Sequence, residues 1–442
     1  MEKQYVLLFT LFFATLFACQ PTSSNQPESA EVQKPNVILI MADDLGYEGL
    51  SCYGSTSYHT PELDKLAAEG MQFQNAYSTP LCTPTRVQIM SGKYNHRNYI
   101  GFGILREGEQ TFGHLMQQAG YRTGIVGKWQ LWGNETQQKL INGRHGSLPE
   151  GAGFDEYCLW QIKERGYRYK GVSIQQTGQD TAVTYPGEYG PDLFLKFING
   201  FMERNQEKPF FLYYPMVLVH NPFQYTPDTE GYTGFDPDTH LDDTTYFKNE
   251  IAYMDKIVGK ITDKLDELEL RENTLVIFIG DNGTHRKVIS YIGDQKIPGS
   301  KGLPLEWGTH VPMIANWKGK IAPGQKNNNL IDFTDFLPTF LDVAAFEGKD
   351  TVQTDGHSFY PQLTGDEYQP REWVYCYYHP NWGKFKHTRY AHDTQWKLFE
   401  DGRFYHFKED LLEENPLSDA DLSEETLALK AKLQSVLDKY QP

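Results

Sequence analysis

Cysteine is scarce in this sequence, and the few cysteines follow no familiar spacing. There are five in 442 residues, at Cys19, Cys52, Cys82, Cys158 and Cys376. Their separations match neither a zinc-binding motif nor the framework of a small disulfide-rich domain. A disulfide between two of them is possible but not implied by the sequence. Stability must come mainly from a hydrophobic core, which a chain of this length can build.

Basic residues are outnumbered by acidic ones. Lysine and arginine together number 41, against 58 aspartates and glutamates, which gives a net charge of −17. This balance argues against general nucleic-acid binding, because such proteins need a basic surface. It also means that an anionic substrate must be held by a local group of cations, since the field of the whole protein repels it.

Long apolar runs are missing except near the N-terminus. Residues 6–18 (VLLFTLFFATLFA) follow Lys3 and are too short to cross a bilayer, which is typical of a signal peptide. The run ends in Leu-Phe-Ala-Cys at Cys19, which resembles the lipobox of bacterial lipoproteins. We therefore predict a signal peptide at 1–19, lipid attachment at Cys19 and a polar tether at 20–34. Export without an anchor is the alternative, and both routes lead to the periplasm or the cell surface.

No internal repeat is visible, and apolar strand patterns alternate with helical ones. The predicted strands are 36–44, 121–129, 209–218 and 273–283. The predicted helices are 60–70, 111–120, 191–204 and 246–270. In the first helix we expect Thr60 to cap the N-terminus, with Pro61 at the first position. The alternation predicts an α/β fold, in which a mixed, largely parallel sheet is sandwiched by helices.

The pattern changes after residue 345. The predicted elements there are short antiparallel strands in 371–378, 387–400 and 402–407, followed by a helix at 424–440. We therefore predict a main domain at 35–345 and a smaller α+β subdomain at 346–442, built from an antiparallel sheet and a helix.

Two of the predicted strands end in oxygen-bearing side chains. Asp43 and Asp44 follow the first strand, and Asp281 and Asn282 end a later one. If these groups converge at one sheet edge, the carboxylates repel each other unless a cation lies between them. Oxygen ligands suit Ca²⁺ or Mg²⁺ rather than Zn²⁺. The alternative interpretation is a pair of solvated strand-to-loop turns.

The segment STPLCTPTRVQIMSGKY (78–94) contains Cys82, with Arg86 four residues later. Such a cysteine could be half of a disulfide, a buried thiol, a metal ligand or the precursor of a modified residue. On a helix, residues four apart share one face, so Arg86 can reach the group at position 82.

This segment resembles the signature of sulfatases, C-x-P-x-R followed by an apolar pair and x-G-[RK]-Y. Further matching segments occur in the family's order: NVILIMADDLGYEGLSCYG, GYRTGIVGKW, HNPF, IGDNG, KGLPLEWGTHVPMI and WKLF. From about residue 34 to about residue 440, the chain is similar to the formylglycine-dependent sulfatases of the alkaline-phosphatase-like superfamily. The resemblance implies the alkaline-phosphatase-like fold. It also implies that the protein is a sulfuric ester hydrolase, with its catalytic domain at 35–345.

The resemblance also implies two additions to the chain. In that family the signature cysteine is oxidised to formylglycine, so Cys82 would need a formylglycine-generating maturation enzyme as a partner. The hydrated aldehyde is the nucleophile, and its second hydroxyl gives sulfate an exit that a thiol lacks. The implied cofactor is Ca²⁺, with Mg²⁺ as the alternative. Its implied ligands are Asp43, Asp44, the residue at position 82, Asp281 and Asn282.

Four basic residues take the remaining catalytic roles that the resemblance implies. Arg86 holds the hydrated aldehyde, while Lys128 and Lys301 bind the sulfate. His220 donates a proton to the leaving oxygen or polarises it. Fixed cations suit a transition state with charge on the sulfuryl oxygens. Taken singly, each residue could instead be an ordinary loop or strand-end side chain.

One position departs from the family pattern. The family has histidine two residues after the lysine that matches Lys128, and this chain has Gln130. Glutamine forms hydrogen bonds but does not titrate near neutral pH. His285 or His310 could substitute for the missing base, sulfate release could be slow, or catalysis could be lost.

Substrate contacts are expected from Gln130, His310 and a C-terminal loop at 377–389. In that loop Trp382 offers a face for sugar stacking, and His379 and His387 offer contacts for anionic groups.

Three functional hypotheses follow. The first is a sulfatase that acts on a sulfated polysaccharide or oligosaccharide. The second is a phosphonate or phosphate-ester hydrolase of the same superfamily. The third is a catalytically impaired carbohydrate-binding lipoprotein, suggested by Gln130.

Overall fold

The computed structural model describes residues 1, 4, 34–239 and 242–442. Cys19 and nearly all of the predicted signal peptide and tether therefore lie outside the described residues. Residues 34–442 form one compact unit. In the part of the chain that the structure describes, no helix combines the length and apolar character needed to cross a membrane. The predicted boundary at residue 345 stays a prediction.

The strands of the described residues form three sheets. Their bounds, from β1 to β16, are Asn36–Ala42, Met71–Tyr77, Arg122–Lys128, Glu156–Trp160, Ser173–Gln176, Val183–Thr184, Phe210–Pro215, Thr274–Gly280, Ile289–Ile292, Gln295–Pro298, His310–Asn316, Gln325–Asp332, Val374–Tyr378, Thr388–His392, Trp396–Phe399 and Phe404–His406. Within the described residues, the large sheet has ten strands in the order β12-β2-β11-β8-β1-β7-β3-β4-β5-β6. A small hairpin pairs β9 with β10.

The α-helices surround the large sheet or follow it in the chain. Their bounds, from α1 to α11, are Pro61–Ala68, Cys82–Ser91, Asn95–Asn98, Phe112–Gln118, Glu135–Leu140, Gly190–Arg204, Phe247–Glu267, Glu306–Thr309, Phe336–Val343, Tyr360–Thr364 and Glu424–Lys439. Separate hydrophobic cores lie on the two faces of the sheet, because alternate residues of the buried strands point to opposite sides.

The centre of the large sheet is parallel. Strands β8, β1, β7, β3 and β4 run in the same direction, whereas β11 and β5 pair antiparallel to their neighbours. Strands β1, β7 and β8 are buried along their whole length, which explains their unbroken apolar sequences. The predicted mixed, largely parallel α/β sheet is confirmed. Its parallel strands end at one edge, where ligand sites form in such folds.

The start of α1 differs from the prediction. Pro61 is the first residue of the helix as expected, but the Thr60 side chain does not cap it. The Thr60 hydroxyl instead bonds with Ser51. Asp255 of α7 caps α1 by accepting hydrogen bonds from the backbone N–H groups of Glu62 and Leu63, at 3.1 and 2.8 Å. A carboxylate distant in sequence thus replaces the local cap.

The C-terminal sheet is antiparallel, as predicted. Within the described residues it has four strands in the order β13-β14-β15-β16, and α11 packs against it. Lys397 donates to the Pro304 carbonyl at 2.9 Å, and the Tyr378 hydroxyl donates to the Gly302 carbonyl at 3.2 Å. These bonds hold the small sheet against the segment that follows Lys301.

Candidate active site

Asp43 and Asp44 lie at the carboxyl end of β1. The Asp43 backbone exchanges two 2.8 Å hydrogen bonds with the next loop, donating to Leu218 and accepting from Val219. Asp44 has a positive φ of 66°, a conformation that aspartate tolerates better than most residues. Both side chains are buried, and they lie beside the loop that carries His220.

Asp281 and Asn282 meet this pair from the end of β8. The Asp281 backbone N–H donates to the Ala42 carbonyl at 3.0 Å. The Asp281 carboxylate accepts from the Asp44 N–H, and Asn282 Nδ2 donates to the Asp44 carboxylate, both at 2.9 Å. The structure therefore brings together the four oxygen-bearing residues that were proposed from sequence.

Cys82 is the first residue of α2 and is 2% exposed. Its Sγ and carboxylate oxygens of Asp43 and Asp281 all lie within 4.8 Å of one another. Burial raises the pKa of the Cys82 thiol above its usual value, and the charges of Lys128 and Lys301 only partly oppose the shift. Position 82 therefore holds a neutral thiol at neutral pH, not a thiolate.

Two lysines enter the cluster from different parts of the chain. Lys128, at the end of β3, is 1% exposed and lies 2.9 and 2.8 Å from the two carboxylate oxygens of Asp43. Lys301 Nζ lies 2.6 Å from Asp44 Oδ2. Burial alone would raise the pKa of Asp43, but the charges of Lys128, Lys301 and Arg168 together hold it below its usual value.

The backbone around Lys301 links the two halves of the site. Its N–H donates to the Thr284 carbonyl at 3.0 Å, just beyond Asn282. The N–H of Gly302 donates to the Pro80 carbonyl at 2.7 Å, just before Cys82. The lysine is thus fixed between the β8 end and the start of α2.

The oxygen groups fit a hard divalent cation. The Asn282 Oδ1 atom is buried and accepts no hydrogen bond from a described residue. Burial raises the pKa of Asp281 well above its usual value, and the charges of Asp43 and Asp44 raise it further. A cation would relieve that repulsion and use the spare amide oxygen, and carboxylate and amide oxygens are ligands that Ca²⁺ and Mg²⁺ accept.

Arg86 lies one helical turn after Cys82 and is 2% exposed. Its Nη1 donates to the Lys128 carbonyl at 3.0 Å, and its Nη2 donates to the Trp129 carbonyl. Its Nε is buried and has no partner within the described chain. Two of its nitrogens therefore hold the end of β3 in place, which positions Lys128, and one nitrogen is left over.

His220 approaches the cluster from the loop after β7. Its Nδ1 lies 2.6 Å from the Asn221 carbonyl, which can only accept, so this nitrogen carries the proton. Its Nε2 faces Asp44 Oδ2 at 3.7 Å. Burial lowers the pKa of His220 well below its usual value, and the charges of Lys301 and Arg168 lower it further. The ring is therefore neutral at neutral pH in the unliganded protein.

Gln130 lies immediately beyond β3 at a positive φ of 44°. Its backbone N–H donates to the Gln161 carbonyl at 2.9 Å, which extends the pairing of β3 with β4. The side-chain Oε1 atoms of both glutamines are buried and lack partners among the described residues.

The two histidines considered as substitutes lie in different places. His285 is near the site, since the charges of Asp44 and Lys301 both act on it, and burial lowers its pKa. The structure does not bring His310 into this cluster. Its Nδ1 lies 2.9 Å from Glu306 Oε1, and its ring stacks on Tyr77 with the centroids 5.0 Å apart.

The three candidates of the C-terminal loop separate into two groups. Trp382 is half-buried and stacks on Phe102 at 5.1 Å, against the small apolar cluster that contains Cys82. His379 and His387 are exposed and contact each other, with ring centroids 4.7 Å apart. His387 also lines a cavity of about 760 Å³, together with Gly302.

Sequence reasoning missed Arg168, in the irregular segment after β4. It is 6% exposed, and its Nη1 lies 3.8 Å from Asp43 Oδ2. Its guanidinium lies over the Trp160 ring, 4.3 Å from the centroid. No motif marks this position; the only signal is an arginine between two tyrosines in GYRYKG.

The strand ends of the parallel sheet thus combine buried carboxylates, which suit a divalent cation, with lysines, which suit an anionic group. Comparison with known families is specific. The sulfatase family model matches residues 35–346, and that of the N-sulphoglucosamine sulphohydrolase C-terminal domain matches residues 301–439. The chain belongs to the sulfatase family, whose members are sulfuric ester hydrolases.

Characterised relatives extend this assignment. An arylsulfatase of Hemicentrotus pulcherrimus is 33% identical over 352 residues, which cover 74% of this chain and 60% of the relative. An N-acetylgalactosamine-6-O-sulfatase of Bacteroides thetaiotaomicron is 27% identical over 413 residues, which cover 77% of this chain and 79% of the relative. The chain thus spans less than two thirds of the first relative.

Solved structures share the fold. A protein in complex with its substrate D-glucosamine-2-N,6-O-disulfate has a TM-score of 0.73 at 22% identity, covering 92% of this chain and 98% of that one. The phosphonate monoester hydrolase of Agrobacterium radiobacter has a TM-score of 0.66 at 19% identity, covering 92% of this chain and 96% of that one. The fold alone does not distinguish sulfate from phosphonate chemistry.

Proposed function

We propose that this protein hydrolyses a sulfate ester on a carbohydrate. The observation that carries the proposal is the buried cluster in which Cys82, Asp43 and Asp281 offer atoms within 4.8 Å of one another, next to Lys128 and Lys301. A carbohydrate substrate is supported by the N-acetylgalactosamine-6-O-sulfatase relative and by the half-buried Trp382, which packs against the apolar cluster that contains Cys82. Export, with or without a lipid at Cys19, would bring the enzyme to extracellular polysaccharide.

The proposal includes a modified residue and an ion. A hydrated formylglycine at position 82 would supply a geminal diol, with one hydroxyl to attack sulfur and one whose deprotonation releases sulfate. Asp43, Asp44, Asp281 and Asn282 would hold Ca²⁺, which would supply positive charge to stabilise the sulfuryl oxygens. Because Cys82 is a neutral buried thiol, direct attack by a thiolate is not favoured.

The chain's own cations bind and polarise the ester. Lys128 and Lys301 each lie against a carboxylate, so their positions are fixed before substrate arrives, and preorganised charges stabilise a transition state at little cost. Arg86 keeps the end of β3, and with it Lys128, in register with position 82.

His220 is suited to the leaving oxygen. Its Nδ1–H is fixed on the Asn221 carbonyl, so its Nε2 is the atom that can take and give a proton. Positive neighbours lower its pKa in the free protein. A bound anionic sulfate adds negative charge near the ring, which raises the pKa and favours a protonated Nε2 when the leaving oxygen needs it.

The test is Cys82→Ala, with Cys82→Ser as the conservative variant and mass spectrometry of the peptide around residue 82. Uncatalysed sulfate-ester hydrolysis is slow enough that the site must supply on the order of 20 kcal/mol, so loss of the nucleophile should remove turnover while the fold is kept. Activity close to that of the unaltered protein in Cys82→Ala would refute the scheme.

Substrate chemistry is tested separately. Rates on a sulfate ester and a phosphonate or phosphate ester of the same alcohol should favour the sulfate, and the reverse preference would move the protein to the second hypothesis. A protein with position 82 modified but no turnover on either ester would support the binding function that Gln130 suggested.

A further inference from the structure

Arg168 is a buried residue with one guanidinium nitrogen that has no hydrogen-bond partner among the described residues. It is 6% exposed, and its Nη1 is buried without a hydrogen-bond partner in the described part of the chain. The nearest carboxylate, Asp43, lies 3.8 Å away, beyond hydrogen-bonding distance, and is already bound by Lys128. The charge of Arg168 is partly compensated by Asp43 and Glu250, but the buried nitrogen has no hydrogen-bond acceptor, and a ligand could supply one.

The segment around Arg168 is fixed by its neighbours. The Trp160 ring lies under the guanidinium. The hydroxyl of Tyr169 donates to the carbonyls of Val217 and His220, at 2.9 and 2.5 Å. The adjacent lysine, Lys170, donates to three carbonyls of the loop at 232–235. Arg168 therefore does not depend on its own contacts for its position.

A cavity of about 490 Å³ opens beside Arg168. Its lining includes Trp160, Arg165, Tyr167, Arg168 and Pro222. Pro222 is two residues beyond His220, and Arg168 lies 3.8 Å from Asp43, so the cavity adjoins the acidic cluster near His220. Its volume is within the range of about 300–1,000 Å³ that is usual for small-ligand sites.

The charged residues that line this cavity are all basic, although the carboxylates of Asp43 and Glu250 also act on Arg168. Arg165 is exposed at its mouth, and Arg168 lies within it. Lys170 also lines it, but its donors are taken by carbonyls, and Tyr167 donates to Asp238 at the rim. In a chain with a net charge of −17, this is a local site that attracts anions against the overall field.

We infer that this cavity is a subsite for a second anionic group on the saccharide, a carboxylate or a further sulfate, and that Arg168 is its principal ligand. The inference rests on the proposed function, because it assumes that the ester to be cleaved lies between Lys128 and Lys301. The planar fork of arginine forms paired hydrogen bonds with carboxylate and sulfate oxygens, and stacking on Trp160 fixes its plane.

The experiment compares three saccharides that share one sulfate position. At another carbon the first carries a neutral hydroxymethyl group, the second a carboxylate and the third a further sulfate. The unaltered protein should prefer the second or the third, and whichever is preferred identifies the anion. In Arg168→Gln, the ratio of kcat/KM for that saccharide to kcat/KM for the neutral one should fall about ten- to a hundredfold, mostly through KM.

The ratio removes effects that are common to all three substrates. Loss of Arg168 also changes the surroundings of Asp43. An effect that acts through Asp43 should change kcat/KM for all three saccharides by the same factor, so the ratio should not report it. Arg168→Lys keeps the charge without the fork, so it should give an intermediate ratio. The matched control is Lys163→Gln, which removes an exposed cation of the same segment that does not line the cavity and should keep the ratio. An equal loss on all three saccharides, or no loss, would overturn the inference.

A binding measurement separates this inference from the proposed function. Calorimetry with methyl glucuronide and with a sulfated saccharide on the full chain needs no turnover. Arg168-dependent binding in a protein that cleaves no sulfate ester would refute the proposed function and keep the subsite. Cleavage of the sulfate ester without any preference for a second anion would keep the proposed function and refute the subsite.

The inference stays testable if Arg168→Gln fails to fold. In that case the exposed Arg165→Gln variant must lower the ratio of kcat/KM values. An unchanged ratio in both Arg165→Gln and Arg168→Lys would overturn the subsite.

Discussion

Cation binding to the acidic cluster should be detectable without any substrate. In the cation-free protein, burial and the charges of Asp43 and Asp44 raise the pKa of Asp281, so its carboxyl keeps a proton above the usual range. A cation at the cluster needs that carboxylate ionised, so binding must release the proton. We expect Ca²⁺ added to chelator-treated protein to release up to one proton per bound ion, and fewer as the pH rises through the raised pKa of Asp281.

The same event stabilises the fold. At an ion concentration one hundred times the dissociation constant, binding to the native state adds about 2.7 kcal/mol. With an unfolding entropy of about 2.1 cal/mol/K per residue over about 400 folded residues, this corresponds to a Tm increase of about 3 °C.

The pH dependence has a definite sign. Because the pKa of Asp281 is raised in the native state, the native state holds a proton that the unfolded state has lost. This contribution to stability is therefore present at low pH and lost as the pH rises through the raised pKa. Saturating Ca²⁺ keeps the Asp281 carboxylate ionised, so it should remove this part of the pH dependence of stability.

The assay combines calorimetry in buffers of different ionisation enthalpy, which counts protons, with thermal unfolding. Asp281→Asn should lose the proton release and most of the Tm increase, whereas Asp294→Asn, an exposed carboxylate in the hairpin turn, should keep both. The reasoning is refuted if neither Ca²⁺ nor Mg²⁺ changes the Tm, or if proton release per bound ion does not vary with pH.

Two further predictions concern single residues of the site. Lys128→Met leaves the Asp43 carboxylate buried without its closest cation, so the free energy of unfolding should fall by about 3–5 kcal/mol in urea titration, and a loss below about 1 kcal/mol would contradict a buried pair. Gln130→His introduces a titratable ring at a positive φ that histidine tolerates, so kcat should gain an inflection between about pH 6 and 7. A pH profile that superimposes on that of the unaltered protein would show that position 130 does not reach the reacting groups.

The part of the site that lies at strand ends could be predicted from sequence, because topology brings those ends together. Asp43 and Asp44 follow one buried run and Asp281 another, and two adjacent parallel strands must end at the same edge. Lys128 ends β3, another parallel strand of the same sheet, so it also lies at this edge. Position 82 came from a motif whose spacing matches a turn of helix, and α2 does begin at Cys82.

Residues whose partners are distant in sequence could not be assigned in this way. Thr60 has the right type and place for a cap, but Asp255, nearly two hundred residues later, reaches the helix instead. His310 was proposed as a substrate contact, yet its closest polar neighbour is Glu306, one turn earlier, in a cluster separate from the acidic groups. Local pattern could not show which polar group a tertiary contact would supply.

Arg168 could not be found because no periodicity or motif describes an irregular segment, yet it lies near Gln130, the position at which the sequence departs from the family pattern. Gln130 and Gln161 extend β3 and β4 side by side, and Arg168 folds back over Trp160, the last residue of β4. Gln130, which does not titrate near neutral pH, and Arg168, a permanent cation, therefore lie at the same corner of the site. Arginine holds an anion at every physiological pH but cannot accept a proton. Neither side chain can take a proton at neutral pH, so any base that assists sulfate release must be sought elsewhere. His220 faces Asp44 at 3.7 Å, and the charges of Asp44 and Lys301 also act on His285.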